Sequence, residues 1–293
     1  MTEIRYSIKD LENFTKIKAH TIRIWESRYG LLTPSRTDTN IRYYGEEDLK
    51  KILNINLLYT SGLKISKIAA LTELEIISNS KALILEEDTD KQSEIDMLTV
   101  MILAFDGDAI KYYLDERLEK EELEDLYTTV VIPLLEKIGQ LWQVNSIDII
   151  HEHYFSNIFR EFLINKTEGL KSPSRFEKTS ILFLHDEEEH EFAILLYNYI
   201  LKKHGYNCHN FGQNVPIKEI DTAYSQLMPD IVVTTFTALL SEKDFRVIEK
   251  ELLKFTKNSE VIISGSQLDA FEFSFSKKLK HIRSVQELKL HLS

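Results

Sequence analysis

The stretch that decides how this chain folds begins Tyr6-Ser7-Ile8-Lys9-Asp10-Leu11-Glu12 and continues Lys18-Ala19-His20-Thr21-Ile22-Arg23-Ile24-Trp25-Glu26-Ser27-Arg28-Tyr29-Gly30-Leu31-Leu32. It closes with Pro34-Ser35-Arg36 and Asn40-Ile41-Arg42-Tyr43-Tyr44. The spacing predicts a short helix over 7–13 with Ser7 as its N-cap, a tight turn at 15–17, and a second helix over 18–28 stopped by Gly30. Residues 32–36 and 41–44 then pair as a hairpin across 37–40. This is the pattern of a winged helix-turn-helix, in which one helix enters a DNA groove and the wing extends the footprint. His20, Thr21 and Arg23 lie near the start of the candidate recognition helix. Arg28, Arg36 and Arg42 have the reach for backbone or bases, and Tyr43 and Tyr44 add hydroxyls. Trp25 has two readings of equal weight, core packing or contact with a phosphate. A small helical domain with a salt-bridged face is the alternative for the whole stretch.

Working outward, 293 residues are too many for one small module, and two or three domains are expected. Apolar residues make up 43% of the chain, enough for sizeable cores, and no apolar run approaches a membrane span. The first residues lack the pattern of a signal peptide. Cys208 is the single cysteine, so no intrachain disulfide forms, and a reducing cytoplasm fits. The formal net charge is −11, but residues 1–70 carry 12 Lys/Arg against 8 Asp/Glu, which leaves −15 for the remainder. A mildly basic head on an acidic body suits a head that meets phosphates.

Beyond the hairpin, helices are expected over 46–61 and 65–74, separated by Gly62. The head is thus bounded at 1–75, and the charge-rich residues 76–94 read as a linker. Four helical segments follow, at 95–105, 107–117, 123–144 and 147–163, with Pro133 placed to open the main part of the third. They imply a four-helix bundle within 95–170. Residues 171–176 read as a second linker. Over 177–293 short apolar runs alternate with amphipathic helices, including a helix over 188–204. This implies a flavodoxin-like α/β domain with a parallel sheet of about five strands.

The ordered series from Thr21 to Leu32, then Pro34-x-Arg36 and Arg42-Tyr43-Tyr44, closely resembles the N-terminal domain of MerR-type transcriptional regulators. The resemblance covers about residues 5–74. It implies a winged-helix dimer on a partly palindromic double-stranded DNA operator.

Two further clusters stand out. Leu141-Trp142-Gln143 precedes Glu152-His153 by one helical connection. A Trp in a bundle is more often core, and a bundle His more often a satisfied polar group. His185-Asp186-Glu187-Glu188-Glu189-His190 lies where the first strand of the α/β domain hands over to its helix, the edge where doubly wound sheets bind ligands. A His there coordinates metal through one ring nitrogen when a carboxylate holds the other, and Glu188 can do that for His190 if the loop is irregular. The alternative is a solvated acidic helix start.

Together, Trp-x9-Glu-His and Glu-x-His resemble the cobalamin-binding module of a MerR-type subgroup that includes light-sensing repressors of carotenoid synthesis genes. The resemblance spans the chain. It implies cofactor contacts from Trp142, Glu152, His153, Glu188, His190, Thr237, Leu239 and Gly265. It also implies His190 as lower ligand to the cobalt of adenosylcobalamin or methylcobalamin, with Trp142 and Glu152 over the upper face. Departures are Ala193 at the motif's glycine, Ser264-Gly265-Ser266 in place of a Gly-Gly signature, and Gln143 where light-responsive members can carry His. The function implied is a cytoplasmic, non-enzymatic regulator, a homo-oligomer (dimer or tetramer) whose operator binding is set by cobalamin. The alternatives are a regulator with a degenerate, cofactor-free interaction domain and a cobalamin-dependent methyltransferase or mutase carrier. A zinc or di-iron site would use Glu187 and His190. No Gly-x-Gly-x-x-Gly, P-loop or nucleophile elbow is present.

Overall fold

The computed structural model describes residues 5–15, 17–37, 40–85, 92–143, 147–171, 178–238, 240–270 and 273–292. The chain forms two compact units, residues 1–156 and 157–293.

The first unit opens with α1 (Ile8–Thr15) and α2 (Ala19–Tyr29). Ser7 caps α1 reciprocally: its N–H donates to the Asp10 carboxylate at 2.6 Å, and the Asp10 N–H donates to the Ser7 hydroxyl at 3.2 Å. The turn is closed by Thr15, whose hydroxyl donates to Leu11 O at 2.7 Å and accepts from Ile17 N at 3.1 Å. Strands β1 (Ser35–Arg36) and β2 (Arg42–Tyr43) make the antiparallel wing. Tyr6 and Tyr44 exchange backbone hydrogen bonds of 2.9 Å, which fastens the wing to the start of the chain. Helix α3 (Glu46–Thr60) follows. Leu11, Ile22, Trp25, Tyr44, Ile52, Ile55 and Leu58 are the centre of the head's core.

The expected helix over 65–74 is two helices, α4 (Ile65–Ile68) and α5 (Glu73–Leu85). Thr72 and Glu75 form a capping box between them: Thr72 N–H donates to the Glu75 carboxylate at 2.8 Å and Glu75 N–H to the Thr72 hydroxyl at 3.3 Å. This also corrects the linker expected over 76–94. Through Leu85 it is helix, with Ile76 in the head's core and Ser80 fully buried. Residues 86–91 of that linker lie outside the described residues.

The helical region comprises α6 (Gln92–Leu103), α7 (Gly107–Leu118), α8 (Leu123–Leu126), α9 (Ile132–Gln143) and α10 (Ile149–Glu168). Asp106 caps α7, accepting from Ala109 N at 3.0 Å. A π-helical turn, Tyr127–Val131, joins α8 to α9. Ile132 alone separates it from Pro133, which has no N–H to give the carbonyl four residues back.

The second unit carries a five-stranded parallel sheet of β3 (Lys178–Leu182), β4 (Tyr206–Asn210), β5 (Ile231–Thr235), β6 (Glu260–Ser264) and β7 (Leu279–Ile282) in the order β4-β3-β5-β6-β7. This is the flavodoxin-like order, and its switch point lies between β3 and β5. The helices are α11 (Phe192–Lys203), α12 (Ile220–Leu227), α13 (Glu242–Phe255), α14 (Ser266–Ala270) and α15 (Val285–Leu292). Ile181, Phe183, Val232, Phe236, Phe245, Val261 and Ile263 fill one side of the sheet. The second expected linker, 171–176, falls almost entirely outside the described residues.

Two glycines make opposite demands. Gly265 has φ +114°, and a Cβ there would meet Phe236 O at 2.2 Å. Gly139 lies in α9 with nothing within 4 Å of a Cβ. Gly265→Ala is therefore expected to destabilise the α/β unit by about 2–4 kcal/mol, through strain and overpacking against backbone. Gly139→Ala is expected to stabilise by about 1 kcal/mol, the helix-propensity gain. Urea denaturation of both variants measures the pair.

Candidate functional site

Helix α2 is the candidate recognition helix because its two faces differ in chemistry. Ile22 and Trp25, three residues apart, are buried. His20, Arg23, Ile24, Ser27 and Arg28 are exposed, at the 3–4 residue spacing of one outward face. Ile24 is 48% exposed, an apolar group presented among polar ones. Gly30, at φ +63°, ends the helix by donating to Glu26 O at 3.0 Å.

Two expected DNA contacts are corrected. Trp25 is core, packed edge-on against Tyr59 with ring centroids 5.2 Å apart. Tyr44 is fully buried and donates a short hydrogen bond to the Glu26 carboxylate. Burial and that carboxylate raise its phenol well above its ordinary range. An aromatic body favours the core whenever its hydroxyl finds a partner inside. Arg42 also faces Glu26, 3.3 Å from its carboxylate, so one acid holds both wing residues against α2. Tyr43 is half-buried beneath the Arg5 guanidinium, 4.5 Å from its ring centroid. Arg36 is exposed and donates to Asn40 Oδ1 at 2.7 Å, while His20 and Thr21 lie 3.4 Å apart at the start of α2.

In the α/β unit the expected helix over 188–204 starts only at Phe192. The preceding loop is irregular because Glu188 is fully buried and uses both carboxylate oxygens. Oε1 accepts from His190 N at 2.9 Å and His190 Nδ1 at 2.7 Å. Oε2 accepts from Thr237 N at 2.6 Å and Ala238 N at 2.8 Å, in the loop after β5. Burial alone would push this carboxyl up, but the bonds from the His190 ring and the Ala238, His190 and Thr237 amides outweigh it. They hold it down at about 2. Glu188 thus ties together the two loops that flank the switch point. The loop is further pinned by Glu187 N donating to Asn214 Oδ1 at 3.0 Å and Gln213 Nε2 to Glu189 O at 2.5 Å.

His190 stands at this point with Nδ1 committed to the carboxylate and its side chain 61% exposed. That bond fixes the orientation of the ring, the arrangement found where a carboxylate backs a metal-ligating His. Nearby, the buried Thr235 at the end of β5 has a hydroxyl with no hydrogen-bond partner among the described residues. His185 is buried and stacked on Phe236, centroids 4.9 Å apart, and its Nδ1 donates to Asp186 O at 2.7 Å. Gly265 serves the chain's own backbone, as its approach to Phe236 requires. Thr237 takes part through its N–H, and Leu239 lies outside the described residues.

In the first unit, Trp142 is half-buried in the last turn of α9, with the Lys50 ammonium 4.7 Å from its ring centroid. Glu152 sits in the first turn of α10, accepts a short hydrogen bond from Ser156, and lies 2.8 Å from His153 Nδ1. The sequence reasoning missed Asn54, which is buried in α3 and hydrogen-bonded to Gln143. A polar residue between Leu53 and Ile55 was its only signal. Among the described residues no group of three or more His, Cys, Asp or Glu is arranged to hold a metal ion, so Glu187 and His190 gather no zinc or di-iron ligand set. No described helix is long and apolar enough to cross a membrane.

Residues 6–75 match the MerR HTH family regulatory protein, and residues 94–164 match the B12 binding domain. With the winged head and the five-stranded parallel sheet, these matches define the class: a DNA-binding transcriptional regulator of MerR type that carries a cobalamin-binding module. The chain is 27% identical over 254 residues to the HTH-type transcriptional repressor CarH of Myxococcus xanthus, covering 84% of this chain and 83% of that protein. It is 24% identical over 284 residues to the repressor CarA of the same organism, covering 96% and 94%. Among solved structures, the Methanosarcina barkeri monomethylamine corrinoid protein is similar in fold, with TM-score 0.50 at 13% identity over 69% of this chain and 98% of that one.

The Glu188 carboxyl lies below its ordinary value of 4.5, so its stabilisation is complete above that value and is lost as pH falls through about 2. Glu188→Gln is expected to lower the stability of the α/β unit by about 2–3 kcal/mol at neutral pH, the worth of a charge-assisted bond lost to a buried site. It is also expected to flatten the acid limb of the stability profile. Chemical denaturation between neutral pH and pH 2 measures both.

Proposed function

We propose that the chain is a cytoplasmic transcriptional regulator that binds a double-stranded DNA operator as a homo-oligomer, and that a cobalamin on its C-terminal module sets that binding. The observation that carries the cofactor assignment is the Glu188–His190 pair at the switch point, with His190 Nδ1 2.7 Å from a buried carboxylate. His190 would hold the cobalt through its ring, and Glu188 would keep that ring oriented. Trp142, Glu152 and His153 are assigned to the other face on the strength of the motif. When bound, adenosylcobalamin supplies a cobalt–carbon bond that light breaks, which makes a light response the finer form of this reading. A ligand controls DNA only through different affinities for two states of the protein, and joining two heads raises operator affinity through effective concentration without a new base contact.

The experiment is an absorption spectrum of the full chain with adenosylcobalamin in the dark and after illumination. The parent is expected to bind with the signature of imidazole ligation, and His190→Ala to lose that signature and bind more weakly. A parent that binds no cobalamin favours the second reading, a cofactor-free interaction domain. That reading draws on Ala193, whose methyl lies half-buried in the first turn of α11 where the motif has glycine. Ala193→Gly is expected to tighten cobalamin binding if the methyl crowds the ligand.

On the DNA side, Arg23→Ala is expected to reduce discrimination between operator and random duplex by about 1–3 kcal/mol, as loss of a base contact does. Tyr44→Phe is expected to leave that discrimination unchanged while lowering stability. Operator titrations with competitor duplex separate the two.

A further inference from the structure

Helix α3 of the head reaches the last turn of α9, the turn that carries Trp142. Leu49, Ile52, Ile55 and Leu58 of α3 belong to the head's core. Lys50 and Asn54, one turn apart, meet α9 instead. Asn54 is 2% exposed. Its Nδ2 donates to Gln143 O at 3.0 Å and to Lys50 O at 3.1 Å, and its Oδ1 accepts from Gln143 Nε2 at 3.3 Å. The last carbonyls of a helix have no partner within it, so the Asn54 amide serves as a cap on α9 supplied by another helix. The Lys50 ammonium, which also bonds the exposed Glu47 at 3.3 Å, lies 4.7 Å from the Trp142 ring centroid. A cation over an indole beside the negative end of a helix is favoured twice, by the ring and by the dipole.

We propose that Lys50 and Asn54 clasp the Trp142 turn, and that cobalamin competes with Lys50 for the Trp142 ring. Cofactor uptake then releases α3, the helix that follows the wing. This rests on the reading of Trp142 as the residue over the cofactor's upper face. Coupling is reciprocal: what loosens the clasp favours the cofactor, and what the cofactor displaces is a helix of the DNA-binding head. The ring that the motif assigns to the cofactor here faces a cation of the head's α3.

The test uses the full chain and adenosylcobalamin in the dark. Lys50→Met keeps the apolar stem and removes the cation, and is expected to tighten cobalamin binding about three- to tenfold, the range of a partly desolvated cation–π contact. Lys50→Arg, which keeps the cation, is expected to bind like the parent. In a Trp142→Ala background Lys50→Met is expected to have no effect, which assigns the gain to this pair. Hydrogen exchange gives a readout without cofactor: Asn54→Ala is expected to speed exchange over 138–143 in the folded protein, and cobalamin added to the parent to do the same. Equal cobalamin affinity in the parent and Lys50→Met overturns the competition while leaving the cobalamin reading standing. No cobalamin binding by the parent or any variant overturns both. Unchanged exchange over 138–143 in Asn54→Ala overturns the clasp, whatever the affinities.

Discussion

A carboxylate removed from water must find donors within the protein, and Glu188 finds four. That single requirement organises the carboxyl edge of the sheet. It prevents α11 from starting at the acidic run, because a helical Glu188 would not reach the amides after β5. It draws the β3 and β5 loops together at the point where the strand order reverses. It also engages one nitrogen of His190 and so fixes the orientation of that ring. The strain that accompanies it is local: Glu187, in the loop after β3, and Asn214, in the loop after β4, both have positive φ, at +66° and +54°. Strained backbone of this kind persists where surrounding bonds over-determine it, and here they do.

Charge is divided along the chain in a way that bears on how the protein approaches a duplex. The head carries a net +4 and the remainder −15, for a total of −11. A polyanion attracts the head and repels the rest, so encounter is oriented before any base is read. The exposed cations of α2, Arg23 and Arg28, share a face with His20, Ile24 and Ser27. Such a mixed face suits base edges, where hydrogen bonding and methyl contact both carry information.

Much of this was legible in the sequence, and the failures have physical causes. Periodicity located α2, α3, the helical segments and all five strands of the sheet, because a strand buried on both faces and an amphipathic helix differ in period. The Glu188–His190 relation was legible as a spacing, though only on condition that the loop was irregular. What decided it, the Thr237 and Ala238 amides, lies about fifty residues away and has no local signature. Tyr44 was misplaced because its sequence position fits either an exposed hydroxyl or a core aromatic, and Glu26, eighteen residues earlier, settles the matter. The start of α5 was legible and overlooked: Thr72-x-x-Glu75 is a capping box, and it overrides the charged composition that suggested a linker. Asn54 was beyond reach, since its partner is eighty-nine residues distant.

Glu26 accepts Tyr44 and faces Arg42 while belonging to α2 itself. Helix and wing are therefore joined through one half-buried acid. The head is a gauge of fixed width: it fits a duplex whose groove and flanking backbone have matching separation, and a duplex that departs from that separation must be deformed to fit. A protein that fits a duplex in this way reads sequence partly through the stiffness of the DNA, at base pairs that no side chain touches. The exposed side chains at positions 20, 23, 24, 27 and 28 are therefore carried on a helix whose orientation relative to the wing is set by that one acid.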